Sequence, residues 1–145
     1  MGAYAFEAFQ KAHHWHKGQK YGEHNYTYHL GQVADQAYML FHELEMPYSM
    51  DEMRAVCYLH DILEDTACPI AELQQSFPDV VIDAVVAITK VPGETYPEYI
   101  RKVKANLLAL RVKIVDTLCN LMNSIKEDNK RRIHKYTRQL QLLTA

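Results

Sequence analysis

The run His60-Asp61-Ile62-Leu63-Glu64-Asp65 gathers four ionisable side chains into one short stretch. On a helix, His60 and Glu64 stand four residues apart, as do Asp61 and Asp65, so each pair shares a face. The stretch before them, Ala55-Val56-Cys57-Tyr58-Leu59, is apolar and reads as buried. Placing so many acids at the end of a buried helix with no cation costs on the order of several kcal/mol per charge. A divalent metal is the simplest compensation. Imidazole mixed with carboxylate suits a borderline-hard ion such as Mn²⁺, Fe²⁺ or Zn²⁺. The plainer alternative is a helix end whose acids are solvated, an arrangement that the helix dipole disfavours at a C-terminus.

A second string carries the same chemistry. Arg111-Val112-Lys113-Ile114-Val115-Asp116-Thr117-Leu118-Cys119-Asn120 sets Asp116 and Asn120 four apart in an apolar helical pattern. An acid flanked by Val115 and Leu118 needs a partner. Lys113, one turn away, is one; a metal is the other. His29, after Tyr26-Thr27-Tyr28, stands at the start of a further helix, where a single His is commonly a cap or a surface residue.

The elements that must position these residues are helical. Apolar spacing predicts helices over Ala3–Lys17, Tyr28–Leu44 and Met50–Leu63, the last opened by a capping-box signal at Ser49 and Glu52. Pro69 and Pro78 open two shorter helices, to about Ser76 and about Ile88. Tyr96–Ala105, Leu107–Ile125 and Arg131–Leu143 complete the set. Val80-Val81-Ile82 is β-prone, but its setting favours helix, and Gly18–Asn25 reads as a loop. The expectation is an all-α, single-domain bundle of about 7–8 helices over residues 1–145, with essentially no sheet.

Composition sets the bounds. The 145 residues are 48% hydrophobic and 23% charged, a globular balance large enough for one core. A net charge of −2 gives no bulk field for nucleic acid. No apolar stretch approaches the ~20 residues that span a bilayer, and the N-terminus has no signal-peptide pattern. Cys57, Cys119 and Cys68 are unevenly spaced, which favours two core thiols and one loop thiol in a reducing, cytoplasmic setting. His13, His14, His24, His42 and His134 read as surface or supporting residues.

Five segments in order resemble the HD-domain metal phosphohydrolases, in the HDxxED branch that holds the RelA/SpoT-type alarmone hydrolases and their small stand-alone relatives. His16-Lys17-Gly18-Gln19-Lys20 looks like that family's AHxGQ segment and Tyr26-Thr27-Tyr28-His29 like its PYxxH segment. His60–Asp65 matches the signature. Ile88-Thr89-Lys90 and Val112–Asp116 with Asn120 look like its LTK and KLADxxxN segments. The resemblance implies the HD-domain architecture and four metal ligands, His29, His60, Asp61 and Asp116, drawn from three helices. It implies Mn²⁺ first, with Fe²⁺, Zn²⁺, Co²⁺ or Mg²⁺ as alternatives. It makes Glu64 and Asp65 catalytic acids, or acids that support the ligands, positioning and deprotonating a water, while Lys113 and Asn120 face the substrate's sugar or phosphate.

The chain departs from the family where an Arg-Lys pair, whose Arg stacks on guanine, follows the AHxGQ segment. Here Lys20 and Tyr21 stand, as candidate substrate contacts. Tyr21 offers a stacking face and no guanidinium. Leu30 replaces a Pro after the first ligand His. The implied activity is hydrolysis of a nucleotide phosphate or pyrophosphate ester, with guanosine 3′,5′-bis(diphosphate) 3′-pyrophosphohydrolase as the nearest family activity. Phosphatase or triphosphohydrolase action on another nucleotide, a non-catalytic nucleotide-binding module, and a structural helical adaptor are the alternatives. The partner is a nucleotide-type small molecule, not nucleic acid or membrane; a homo-oligomer is left open.

Overall fold

Ser49 and Glu52 form the expected reciprocal cap. Ser49 Oγ accepts from Glu52 N at 3.0 Å, and Glu52 Oε1 accepts from Ser49 N at 2.7 Å. In the computed structural model, which describes residues 2–145, this cap opens the central helix, α3 (Met50–Leu59). Before it come α1 (Ala3–Trp15), a two-stranded ladder of β1 (Lys20–Tyr21) and β2 (His24–Asn25), and α2 (Tyr26–Phe41). After it come α4 (Ile62–Asp65), α5 (Ile70–Ser76), α6 (Asp79–Ile88), α7 (Tyr96–Lys104), α8 (Leu107–Lys126) and α9 (Lys130–Thr144).

The expected bundle is present, with nine helices among the described residues. The count exceeds the expectation because the helix read through to Leu63 breaks. The chain leaves α3 at His60, and Asp61 turns at φ −108°, ψ 0° to start α4. His60 Nδ1 donates to the Cys57 carbonyl at 2.7 Å, taking up an acceptor at the end of α3. The simple i, i+4 rows predicted for His60–Asp65 are therefore replaced by a corner. Glu64 and Asp65 sit in the first turn of α4 instead of the last turn of α3, which removes the dipole penalty attached to the longer helix.

The loop expected over 18–25 carries a small hairpin. Tyr21 pairs with His24 and Lys20 with Asn25. Gly22, with φ +59°, takes the first central position of the two-residue turn, where a side chain would be strained. Asn106 separates α7 from α8 and caps α8 through Ala109 N at 2.9 Å.

α3 packs against α1, α2, α6 and α8. The core at their junction holds Leu30, Val33, Met53, Val56, Leu59, Ile62, Val81, Val85 and Val112, all without solvent exposure. A smaller cluster of Tyr99, Ile100, Val103 and Leu143 joins α7 and α9. α9 is pinned to α8 by Gln139, which donates to Thr117 Oγ1 at 2.7 Å and accepts from the Tyr96 hydroxyl at 3.0 Å. This pin hangs the basic first half of α9 beside the α8 surface that carries Asp116. All three thiols are free and buried, including Cys68, placed by sequence in a loop. Among the described residues, no helix is long and apolar enough to cross a membrane.

Candidate metal centre

His29 lies in the first turn of α2, on the face that buries Leu30 and Val33. Asp116 lies mid-way along α8, between buried Val115 and Thr117. His60 caps α3. One ligand-type atom from each of these three buried residues falls within 4.8 Å of the others. His29 Nε2 stands 2.9 Å from Asp116 Oδ1, and His60 Nε2 stands 3.3 Å from the same oxygen. Asp61 joins from the corner, its Oδ2 3.1 Å from His60 Nε2 and also accepting from the Tyr26 hydroxyl. The four residues read as ligands thus converge from α2, the α3–α4 corner and α8, with Asp61 just outside the tight trio.

The donor set fits a divalent cation. A carbonyl can only accept, so the Cys57 contact places the His60 proton on Nδ1 and turns the Nε2 lone pair toward two carboxylates. His60 Nε2 is buried and makes no well-aligned hydrogen bond. A lone pair facing two anions is repulsive unless a proton or a metal ion stands between them. Burial opposes charge at each group, but mutual attraction overrides it. Asp61 and Asp116 push His60 well above the usual imidazole range. His60 draws Asp61 down to about 2, and Lys113 and His60 hold Asp116 well below the carboxylate range. A divalent ion would take the place of that imidazolium proton.

Of the two partners that the sequence offered Asp116, Lys113 is in contact with it. Its Oδ1 faces the imidazoles, while its Oδ2 meets Lys113 Nζ at 3.3 Å. Burial works against the Lys113 charge, yet Asp116, Tyr99 and Asp61 keep the ammonium firmly protonated. Asn120 Nδ2 donates to Asp116 Oδ1 at 3.1 Å, and Asn120 Oδ1 accepts from the Tyr21 hydroxyl at 2.7 Å. Glu64 Oε1 accepts from Lys90 N at 2.9 Å, and Asp65 Oδ2 accepts from Gln19 Nε2 at 3.2 Å.

These side chains line a cleft of about 270 Å³, with Tyr21, Tyr26, His29, Asp61, Glu64, Asp65, Lys113, Asp116 and Asn120 on one side. Arg132, Lys135, Tyr136 and Gln139 of α9 line the other. Lys20 is not brought to it; its Nζ reaches Asn25 across the hairpin at 3.0 Å. His13, His14, His24, His42 and His134 are exposed and outside it.

The α9 wall is what sequence reasoning missed. Arg132, Lys135 and Tyr136 do have helical spacing that sets them on one face, but a basic face at the end of a chain resembles any solvated helix. The packing of α9 on α7 and α8, through the Leu143 cluster and the Gln139 pin, makes it part of this cleft. Tyr26 and Asn123 were missed as well. Tyr26 lay inside a quoted motif, so that signal was available; for Asn123 none was.

No protein-family model matches the chain, and no curated protein does. A solved structure does. It is described as a metazoan ortholog of SpoT that hydrolyses ppGpp and plays a role in starvation responses. The likeness has a TM-score of 0.75 at 20% sequence identity, over 99% of this chain and 86% of that one. At that identity the likeness shows the fold, an all-α domain of the HD type.

Proposed function

We propose that this chain is a divalent-metal-dependent phosphohydrolase of nucleotides, acting on a phosphate or pyrophosphate ester. The 3′-pyrophosphate of guanosine 3′,5′-bis(diphosphate) is the first candidate bond, and a cytoplasmic setting suits both substrate and free thiols. The observation that carries this reading is the buried His29–His60–Asp116 trio, of which His29 and Asp116 line a cleft shared with Lys113, Arg132 and Lys135. The fold likeness to a protein described as hydrolysing ppGpp supports the choice of first substrate.

His29, His60, Asp61 and Asp116 would hold the ion, Mn²⁺ by resemblance, with Fe²⁺, Zn²⁺, Co²⁺ or Mg²⁺ as alternatives. When bound, such an ion supplies Lewis acidity and makes a water acidic enough to serve as a nucleophile near neutral pH. The remaining work belongs to the protein. Arg132 offers a planar fork that matches two phosphate oxygens, and Lys113 and Lys135 add point charges on either side. Glu64 has one oxygen fixed by Lys90 N and the other free to take a proton from water. Asp65, fixed by Gln19, stands next to it as the second acid.

The test is a panel of alarmones and nucleoside mono-, di- and triphosphates with Mn²⁺, read by release of phosphate, pyrophosphate or triphosphate. Pyrophosphate released from the 3′ position of guanosine 3′,5′-bis(diphosphate) supports the first candidate. Turnover of other nucleotides alone moves the assignment to a phosphatase or triphosphohydrolase. Nucleotide binding with no turnover at all refutes the enzyme and leaves a binding module.

A further inference from the structure

Tyr21 stands where the resembling family carries a base-stacking Arg, and in this chain the residue is not free to stack on anything new. Its ring already lies against His29, with centroids 4.2 Å apart and planes 12° from parallel. Its hydroxyl is committed on both sides. It donates to Asn120 Oδ1 at 2.7 Å and accepts from Asn123 Nδ2 at 2.8 Å. Asn123 also donates to Gln32 Oε1 at 3.4 Å, and Asn120 passes the chain on to Asp116 Oδ1 at 3.1 Å. Every link has one direction: amide to phenol, phenol to amide oxygen, amide to carboxylate. One aromatic residue on a short hairpin therefore touches one metal-ligand candidate directly and reaches another through a single side chain.

We infer that Tyr21 is a positioning residue of the metal centre, holding the His29 ring by stacking and Asp116 through Asn120, and is not a substrate contact. The inference rests on the metal reading given above. Stacking fixes the plane of His29, whose Nδ1 is buried without a partner and so cannot orient the ring through a hydrogen bond of its own. The Asn120 link fixes one lone pair of Asp116 Oδ1 and leaves the other to the imidazoles. Groups that orient metal ligands in this way typically alter metal affinity about ten- to hundredfold when removed. The hairpin geometry serves the same end: Gly22 turns the chain so that Tyr21, paired with His24, faces α2 and α8.

The experiment measures Mn²⁺ affinity of the full chain by calorimetry, without nucleotide, for the wild type, Tyr21→Phe, Tyr21→Leu and Asn123→Ala. Thermal melting in chelator runs alongside. Tyr21→Phe keeps the ring and loses the relay, so about a tenfold weaker Mn²⁺ affinity is expected. Tyr21→Leu loses both and weakens it further, toward the hundredfold end. Asn123→Ala, which unties the phenol from behind, changes affinity in the same direction by less. If the variants melt lower but bind Mn²⁺ as the wild type does, Tyr21 is scaffold only and the inference is overturned. Unchanged Mn²⁺ affinity with a raised KM for the nucleotide turned over makes Tyr21 a substrate contact and overturns it too. Wild-type protein that binds no Mn²⁺ overturns the metal reading itself, an outcome separate from any ratio between variants.

Discussion

Asp116→Asn tests the centre by changing charge at nearly constant volume. In the metal-free protein, Asp116 and Asp61 together face the Lys113 ammonium and the His60 imidazolium. Removing the Asp116 charge leaves two cations against one carboxylate, with the Lys113 side chain only 16% exposed. Breaking a buried pair from one side costs about 3–5 kcal/mol. For a domain of this size, about 2–4 °C of melting temperature follows each kcal/mol, so the expected fall is about 6–20 °C. Adding Lys113→Met removes the orphaned cation and should restore part of the loss, with a coupling of about 0.5–3 kcal/mol in the double-mutant cycle. Mn²⁺ separates the structural role from the ligand role. At a hundredfold excess over Kd, binding stabilises the wild type by about 2.7 kcal/mol, or about 5–11 °C. The Asn variant should show no such rise. Differential scanning fluorimetry in chelator, then in Mn²⁺, reads both effects. If the variant melts within about 2 °C of wild type in chelator and is still stabilised by Mn²⁺, Asp116 is a solvated acid and the geometry described here does not govern the site.

Three further outcomes are expected. Glu64→Gln should bind Mn²⁺ as the wild type does and lose about 10²- to 10⁴-fold in kcat; near-normal turnover removes Glu64 from the role of base. Arg132→Ala, on the α9 wall, should raise KM more than it lowers kcat, because it deletes a phosphate contact present in the ground state as well; an unchanged KM would place the substrate elsewhere. Ser49→Ala breaks the capping box of α3 and should cost about 1 kcal/mol, a fall of about 2–4 °C in melting temperature, with turnover intact.

Much of the candidate centre was legible in sequence because residues on one helix that could hold a metal ion form local patterns. His60 and Asp61 are adjacent, Asp116 and Asn120 share a face, and Ser49 with Glu52 marked where the central helix begins. The helical class followed from apolar spacing, which reports which face each segment must bury. Three features were not legible in that spacing: one is a local turn, and two depend on contacts between segments distant in the chain. The corner at Asp61 arises where His60 turns back to the Cys57 carbonyl, and it converts the expected i, i+4 rows into a turn that aims His60 at Asp116. Tyr21 stands 99 residues before Asn120 and 102 before Asn123, so nothing near it in sequence announces that its hydroxyl is spoken for. The basic face of α9 looks solvated until Gln139 locks onto Thr117 and brings Arg132 and Lys135 to the rim of the cleft. Residue types and their spacing along single helices carried the fold class and marked which residues could hold a metal ion. How the helices pack decided which side chains meet across that cleft, since those contacts join residues that only folding brings within reach of one another.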